Sequence, residues 1–310
     1  MRKALALAVL MAFGAISPAA ASEPAQAGSP VTVSNAKSFD LVSSVNGARI
    51  RLLVWQPPGP VPEGGFPVLY AFDGDDSFGL LSDVALKQAS ALRRAGLRPA
   101  VVVALGYAEG EGTADRRIFD LTPKAGSYDM PVRPNGQPWP KLGGGDDFLE
   151  TVERDVKPLV IANYPVDMAQ ETLFGHSLGG LMTLHAWAVR PAMFDRYFAS
   201  SPSIWVNGRK VLDEVKDALA GGSAGKPHLM VTVGGGEEDL TALDRIAPGD
   251  LAVREAWVKG NRMVGNAHDL AAIFTAAGVE NFTFQVLDGF DHISVQSVSA
   301  WRALEMATAR

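Results

Sequence analysis

A serine flanked by glycines lies between two apolar segments of the chain, in ETLFGHSLGGLMTLHAWAV at residues 171–189. The run Glu171–Phe174 predicts a buried strand, and Leu178–Val189 predicts the helix that follows it. The turn between them admits only very small residues two positions before and after Ser177, and it lifts the serine hydroxyl above the sheet. A strand, a tight turn and a helix in this order are typical of a nucleophile elbow.

Short apolar segments alternate with helical patterns along the rest of the chain. Strands are expected at Ser38–Ser44, Arg49–Gln56, Val68–Phe72, Ala100–Leu105, Glu171–Phe174, Tyr197–Ala199, His228–Val233 and Phe282–Leu287. Helices are expected at Leu80–Ala95, Asp146–Asn163, Leu178–Val189, Lys210–Ala220, Leu251–Ala277 and Ser294–Ala307. An Asn46-Gly47 turn makes the first two strands a hairpin. The predicted fold class is α/β, with a mostly parallel central sheet, an N-terminal antiparallel hairpin and helices on both faces.

The chain of 310 residues is 47% hydrophobic and 20% charged, which is the composition of an ordinary globular protein. We predict one domain over residues 38–310, preceded by a flexible arm at residues 22–37. Residues 1–21 combine a basic start, an apolar run and an alanine-rich end, so they predict a secretory signal peptide cleaved after about Ala21. The alternative, a membrane anchor, needs about 20 apolar residues, and this run is shorter. We expect the mature chain in the periplasm.

The charge and the absence of cysteine exclude several classes of function. The formal net charge is −6, and loss of Arg2 and Lys3 with the signal peptide changes it to about −8. This sign repels nucleic acid and anionic lipid, so we expect neither nucleic acid nor an inserted membrane as a partner. Without cysteine the chain has no disulfide, no thiolate nucleophile and no cysteine metal site.

A serine of ordinary pKa needs a general base. The chain contains five histidines, namely His176, His185, His228, His268 and His292. We expect His176 to direct its side chain away from Ser177, and three others to lie within a strand or a helix, where structural roles are more usual. His292 follows the last predicted strand, in a loop before the terminal helix. Serine first and histidine last is the chain order of this kind of fold, so His292 is the predicted base.

The acid that orients the base is expected one strand earlier, after His228–Val233. The stretch GGGEED at residues 234–239 follows that strand and offers three acids. We prefer Glu237, the first after the glycines, and Glu238 and Asp239 remain alternatives. Asp291 is adjacent to His292 in sequence, which is poor geometry for bonding its ring.

Acyl transfer also needs hydrogen-bond donors for an oxyanion. The N–H of Leu178, the residue after the serine, is one candidate. The other comes from the loop after the first parallel strand, where Gly74 permits a turn that directs the Asp75 N–H towards the site. A cation-binding turn is the alternative interpretation of these acids, but the EF-hand spacing is not met. The Pro- and Gly-rich residues 122–145 are too long for a simple connection and are a candidate active-site wall.

Several further motifs resemble the putative-esterase (esterase D-like) branch of the α/β-hydrolases. They are RRIFDLTP at 116–123, FLE at 148–150, GHSLGG at 175–180, SPSIW at 201–205 and Asp291-His292. The resemblance covers most of the chain after Ser38, and its nearest form is the periplasmic enterobactin and salmochelin esterases. It implies an α/β-hydrolase fold and a serine carboxylic-ester hydrolase that cleaves the trilactone of a catecholate siderophore such as ferric enterobactin to release iron.

This implied substrate suggests roles for three more residues. Ferric catecholates are polyanionic, and Arg116 and Arg117 would supply cations to hold one. A salt bridge to an acid such as Asp120 is the alternative role for one of the two arginines. Trp205 would stack on a catechol ring or, alternatively, belong to the core.

The proposed chemistry requires no metal and no organic cofactor, because iron arrives as part of the substrate. Two other functions remain open. One is a secreted carboxylesterase of the feruloyl type, which shares the same triad. The other is a non-catalytic periplasmic siderophore-binding protein. The choice between ferric and iron-free substrate and the oligomeric state are also open.

Overall fold

The computed structural model describes residues 31–108, 113–222, 226–247 and 249–309. The described residues from Val33 onward form one compact unit. The predicted signal peptide, residues 1–21, lies outside the described residues, as do residues 22–30 of the predicted arm. The boundaries of domain, arm and signal peptide therefore stay predictions.

Eight strands of the described chain form one sheet. They are β1 (Ala36–Val42), β2 (Arg49–Trp55), β3 (Phe66–Ala71), β4 (Val101–Tyr107), β5 (Val166–His176), β6 (Arg196–Ser200), β7 (His228–Gly234) and β8 (Phe282–Leu287). Their order is β1-β2-β4-β3-β5-β6-β7-β8. The pairs β1/β2 and β2/β4 are antiparallel, and the other neighbouring pairs are parallel. The predicted fold class, including the N-terminal hairpin, is confirmed.

Helices connect the strands. They are α1 (Gly74–Arg94), α2 (Thr113–Asp120), α3 (Gly145–Thr151), α4 (Lys157–Asn163), α5 (Leu178–Val189), α6 (Lys210–Ala220), α7 (Ala242–Ile246), α8 (Leu251–Asn261), α9 (Met263–Ala276) and α10 (Val295–Thr308). A π-helical turn at Val152–Val156 joins α3 to α4, so the helix predicted at Asp146–Asn163 is continuous but locally wider.

The core lies on both faces of the sheet. Every residue of β3 and β4 is buried, as expected for strands that are covered on two sides. On one face α1 and α10 pack through residues such as Leu81 and Leu304. On the other face α5 and α9 pack through Trp187 and Phe274, whose ring centroids are 5.1 Å apart. Full burial of one such side chain contributes about 1.5–3 kcal/mol.

The helix predicted at Leu251–Ala277 is in fact two helices. Arg262 separates α8 from α9 and has a left-handed φ of 45°. The break lets Met263 and Ala267 of α9 pack on Val233 of β7, whereas α8 stays at the surface. The short helices α2 and α7 are absent from the prediction because their sequences are too polar or too brief for apolar periodicity.

The parallel register places the functional loops at one edge. The carboxyl ends of β5, β6, β7 and β8 are neighbours in the sheet, so the residues that follow them meet there. Ser177 follows β5 directly, Ser201 follows β6, Glu237 follows β7 and His292 follows β8. Ligands of open α/β sheets bind at this edge.

Candidate active site

Ser177 occupies a strained turn between β5 and α5. Its backbone has φ 60° and ψ −117°, a conformation that few non-glycine residues adopt. A Cβ atom at Gly175 would overlap the carbonyl group of Gly179, so only glycine fits there. The turn follows the strand without a break and starts the helix at Leu178. The local structure is that of the predicted elbow, with the hydroxyl at the carboxyl edge of the sheet.

His292 contacts both the serine and an acid. Its Nε2 lies 3.0 Å from Oγ of Ser177, and its Nδ1 lies 2.6 Å from Oε2 of Glu237. The imidazole is 36% exposed, whereas the carboxylate of Glu237 is fully buried. A hydroxyl, an imidazole and a carboxylate in this sequence can transfer the hydroxyl proton to the ring as the oxygen attacks a carbonyl carbon.

Glu237 is oriented by two donors on its second oxygen. Oε1 accepts a hydrogen bond from the N–H of Gly234 at 2.7 Å and another from the hydroxyl of Ser201. A Cβ at Gly234 would lie 2.6 Å from the carbonyl oxygen of Phe290, which explains a glycine at this point of the turn. The buried carboxylate therefore has a fixed orientation towards the ring of His292.

The other acids considered for this role have different partners. Glu238 accepts a hydrogen bond from the N–H of Gly265 at 2.8 Å, near the start of α9. Asp239 lies in a turn in which its N–H donates to the carbonyl of Gly236. The carboxylate of Asp291 accepts from backbone N–H groups of the next residues, including Ser294 at 2.8 Å. Glu237 is the acid that the structure brings to His292.

The stretch SPSIW at 201–205 connects the parts of this site. Ser201 bonds Glu237, and Oγ of Ser203 lies 3.3 Å from Oγ of Ser177. The N–H of Ser203 also donates to the carbonyl of Ser177 at 3.0 Å. The sequence offered this stretch only as a mark of resemblance, because contacts between loops of different strands leave no local pattern.

His176 lies at the site, contrary to the expectation that it points away. Its ring centroid is 4.6 Å from that of His292, and its Nδ1 is 3.1 Å from Oγ of Ser200. Burial lowers the pKa of His176 well below its usual value, so the ring is neutral at neutral pH. A neutral neighbour does not repel His292 when that ring takes up a proton.

The remaining histidines have structural contacts elsewhere. His185 lies between Glu214 and Asp146, His228 contacts Thr283 at 3.0 Å, and the ring of His268 packs edge-on against Phe284. None of these contacts involves Ser177.

The two predicted oxyanion donors lie in adjoining turns. Asp75 and Leu178 belong to the first turns of α1 and α5, where N–H groups have no acceptor within their own helix. The start of α5 lies close to the segment that leads into α1, since a Cβ at Gly179 would lie 3.2 Å from Cβ of Phe72. The carboxylate of Asp75 accepts from the N–H of Tyr107 at 2.9 Å, so this side chain is engaged by β4.

Both predicted cations are paired with acids. Arg117 binds Asp73 through two hydrogen bonds of 2.6 and 2.8 Å, and its side chain lines the cavity beside Ser177. Arg116 bonds Asp120 at 2.6 Å, on a carboxyl whose pKa burial raises to about 6. Arg117 is therefore the arginine that reaches the site, and its charge is largely balanced by Asp73.

Three tryptophans form one wall of the site. The ring centroid of Trp205 lies 6.0 Å from that of Trp139 and 5.4 Å from that of Trp257. Trp139 comes from the Pro- and Gly-rich residues 122–145, and Trp257 comes from α8. Sequence reasoning missed Trp257 because it looked like one apolar residue of a long helix.

Three adjoining cavities meet at His292. One of about 240 Å³ extends past Phe72 and Leu80, and one of about 340 Å³ lies against the three tryptophans. A groove of about 870 Å³ continues from Trp257 between α7, α8 and Ile293. Ser177 lines the first two cavities, so a substrate carbonyl at the serine has open space on either side.

Residues 43–259 match the family model described as Putative esterase. This chain belongs to that esterase family. The expected resemblance is confirmed, and the protein is a carboxylic-ester hydrolase.

Individual relatives extend the match to most of the chain. A ferri-bacillibactin esterase of Bacillus subtilis is 31% identical over 86% of this chain and 88% of its own. A siderophore triacetylfusarinine C esterase of Aspergillus fumigatus is 33% identical over 89% of this chain and 94% of its own. The solved structure of a siderophore hydrolase from Aspergillus nidulans has a TM-score of 0.78 at 27% identity, with coverage of 90% and 97%.

A helix that spans a bilayer must be both long and apolar, and the described residues form no such helix.

Proposed function

We propose that this hydrolase cleaves its ester by a serine mechanism. His292 takes the proton of Ser177 on Nε2 while Oγ forms a bond to the ester carbonyl carbon. Glu237 holds the ring through Nδ1–H and stabilises the imidazolium that forms. The contacts of 3.0 Å and 2.6 Å on the two ring nitrogens are the observation that carries this proposal.

The tetrahedral intermediate carries its negative charge on the former carbonyl oxygen. We assign the N–H groups of Asp75 and Leu178 as its donors, because both lie in first helical turns and the start of α1 lines the cavity of Ser177 through Asp73 and Asp76. When the intermediate collapses, the ester C–O bond breaks and the leaving alkoxide takes the proton from His292. Water then attacks the acyl-enzyme while His292 accepts its proton. Collapse of this second intermediate breaks the bond between the acyl carbon and Oγ of Ser177, and Oγ takes the proton back from His292.

The substrate that we propose is the ester of a siderophore, and specifically a cyclic triester such as enterobactin. The relatives from Bacillus subtilis and Aspergillus fumigatus are both named for siderophore esters. The cavities around His292 and the wall of Trp139, Trp205 and Trp257 offer space and aromatic surface for a bulky ester with ring-bearing arms. Opening the triester gives a linear hydroxy acid that holds iron less tightly.

One experiment tests mechanism and substrate together. The purified protein is given enterobactin, a p-nitrophenyl ester and a feruloyl ester, and products are separated by chromatography. We expect cleavage of the triester to be fastest and Ser177→Ala to lower kcat by a factor on the order of 10⁶. Turnover of simple esters with an intact triester would contradict the substrate, and a fully active variant would contradict the mechanism.

We further propose that the chain is exported to the periplasm and loses residues 1–21. The basic start, apolar run and alanine-rich end of that segment support the proposal. Expression in a Gram-negative host followed by N-terminal sequencing of the periplasmic fraction should give a chain that starts near Ser22. An uncleaved chain in the cytoplasm would refute it.

A further inference from the structure

We propose that the active-site cleft selects uncharged siderophore esters over the trianionic ferric complex of a catecholate ester. The inference rests on the proposed function and concerns the form of the ester that reaches Ser177. Free catechol rings are uncharged near neutral pH, whereas Fe(III) balances only half of the charge of three catecholate dianions. A ferric complex of three hydroxamates is uncharged.

The charge of the cleft is the first observation. Among the described residues, those that line the three cavities at His292 include six acids, namely Asp73, Asp76, Glu237, Asp244, Asp250 and Asp291. They include two guanidinium groups, those of Arg117 and Arg254. With His292 neutral, the formal charge of this lining is −4. Arg133, whose guanidinium lies 5.3 Å from the ring centroid of Trp139, brings it to −3 at the rim.

The arginines are also already engaged. The carboxylate of Asp73 accepts hydrogen bonds from both Nε and Nη2 of Arg117. Nη1 of Arg254 lies 3.3 Å from Oδ1 of Asp244. A polyanion in the cleft would compete with these carboxylates for the same donors. It would also have to lose water beside Asp76, Asp250 and Asp291, which have no salt bridge to another described residue, and this is unfavourable for like charges.

The apolar walls are the second observation. Leu243 and Ile293 line the large groove and are 69% and 68% exposed, and the exposed Val253 of α8 lines it as well. Together with Trp257, they form a surface that gains from burial by an aromatic or aliphatic arm. Such a surface binds an uncharged ligand well. Its apolar side chains carry no positive charge that could balance the negative charge of a trianion.

The test uses two triesters, each with and without iron. Enterobactin changes from uncharged to trianionic when it binds Fe(III), whereas a hydroxamate triester such as triacetylfusarinine C is uncharged in both forms. The compact shape imposed by iron is common to both pairs. At a Debye length of about 8 Å, we expect iron to lower kcat/KM for enterobactin by about tenfold and to change kcat/KM for the hydroxamate by less than about threefold.

A charge variant supplies the second readout. Asp250→Asn removes one negative charge from the groove and keeps the side-chain oxygen that caps α8 through the N–H of Ala252 at 2.8 Å. We expect it to raise the ratio of ferric to iron-free enterobactin turnover about twofold. Asp83→Asn, on the exposed side of α1, is the matched control and should leave the ratio unchanged. Added salt should raise the same ratio by screening.

The outcomes separate this inference from the proposed function. Equal turnover of ferric and iron-free enterobactin, or an equal iron effect on both triesters, would overturn charge selection while Ser177→Ala still abolished cleavage. The inference would also be overturned if neither Asp250→Asn nor added salt changed the ratio of ferric to iron-free enterobactin turnover. If neither triester were cleaved in any form, the proposed function would fail, and this inference would fail with it.

Discussion

Replacement of Glu237 by glutamine changes one oxygen to nitrogen. It should move the proton of the neutral His292 ring from Nδ1 to Nε2. Oε1 of Glu237 accepts from two donors, the N–H of Gly234 at 2.7 Å and the hydroxyl of Ser201. The amide oxygen of a glutamine must occupy that position, because an NH₂ group there would face two other donors. The NH₂ group then points at Nδ1 of His292, which becomes an acceptor.

The consequence for the proposed mechanism follows from the imidazole tautomer. With Nδ1 as acceptor, the proton of the neutral ring lies on Nε2, which faces Oγ of Ser177 at 3.0 Å. That nitrogen can no longer take the serine proton. The comparable change in a serine protease lowers kcat by about 10⁴-fold. We expect a similar loss for Glu237→Gln, which corresponds to about 5.5 kcal/mol of transition-state stabilisation.

The assay is the steady-state kcat for a p-nitrophenyl ester, with circular dichroism and a urea titration to show that the variant folds. Glu238→Gln is the matched control, because the neighbouring acid accepts a bond from the N–H of Gly265 that a glutamine oxygen can accept equally well. It should retain kcat within about threefold. A loss of less than about tenfold in Glu237→Gln would refute the reasoning and show that His292 keeps its tautomer without this acid.

Three other changes test further parts of the structure. Ser201→Ala removes one of two donors on Oε1 of Glu237, and since a bond to a charged group is worth about 1.5–3 kcal/mol, kcat should fall about 10- to 100-fold with KM little changed. Trp257→Ala opens the aromatic wall, and loss of about 0.5–1.5 kcal/mol of stacking should raise KM up to about tenfold for an aryl-bearing triester but not for p-nitrophenyl acetate. Burial disfavours the charged form of His185, yet the neighbouring carboxylates of Asp146 and Glu214 raise its pKa to about 9. Its charged form should therefore stabilise the fold by at most about 3 kcal/mol below pH 6.5, and this contribution is lost as the pH rises through 9. Urea titrations of the protein and of His185→Gln should differ at pH 6 and converge at pH 10, and a constant difference would refute the assignment.

Local patterns predicted the scaffold well. The helix α5 and the strand β8 have the predicted bounds, because apolar runs between clear turn residues report burial directly. Ser177 and His292 could be singled out because the elbow is a local motif and the chain has few histidines. The preference for Glu237 over Glu238 rested on its place after the glycines, and the contact with His292 agrees with it.

Long-range contacts were not predictable in the same way. Trp257 belongs to the site because Arg262 ends α8 in a left-handed conformation, and no apolar period marks that break. The side chain of His176, at the end of β5, packs on His292, which lies 116 residues further along the chain. Arg116 and Arg117 could not be separated from sequence, since the difference lies in which acid each one meets.

The turn after β6 explains how a strained serine can be held ready before substrate arrives. Ser177 and Ser201 both have positive φ, at 60° and 43°, and such residues cost on the order of 1–3 kcal/mol each. Backbone bonds offset this cost, since Ser177 N–H donates to Ser200 at 3.0 Å and Ser201 N–H donates to Thr232 at 2.7 Å. These bonds continue the hydrogen-bond pattern of the sheet beyond the strand ends. The same pattern therefore fixes both the nucleophile Ser177 and Ser201, which donates to Glu237. In the proposed mechanism little reorganisation is then needed when the oxyanion forms, which is how preorganised sites lower a barrier.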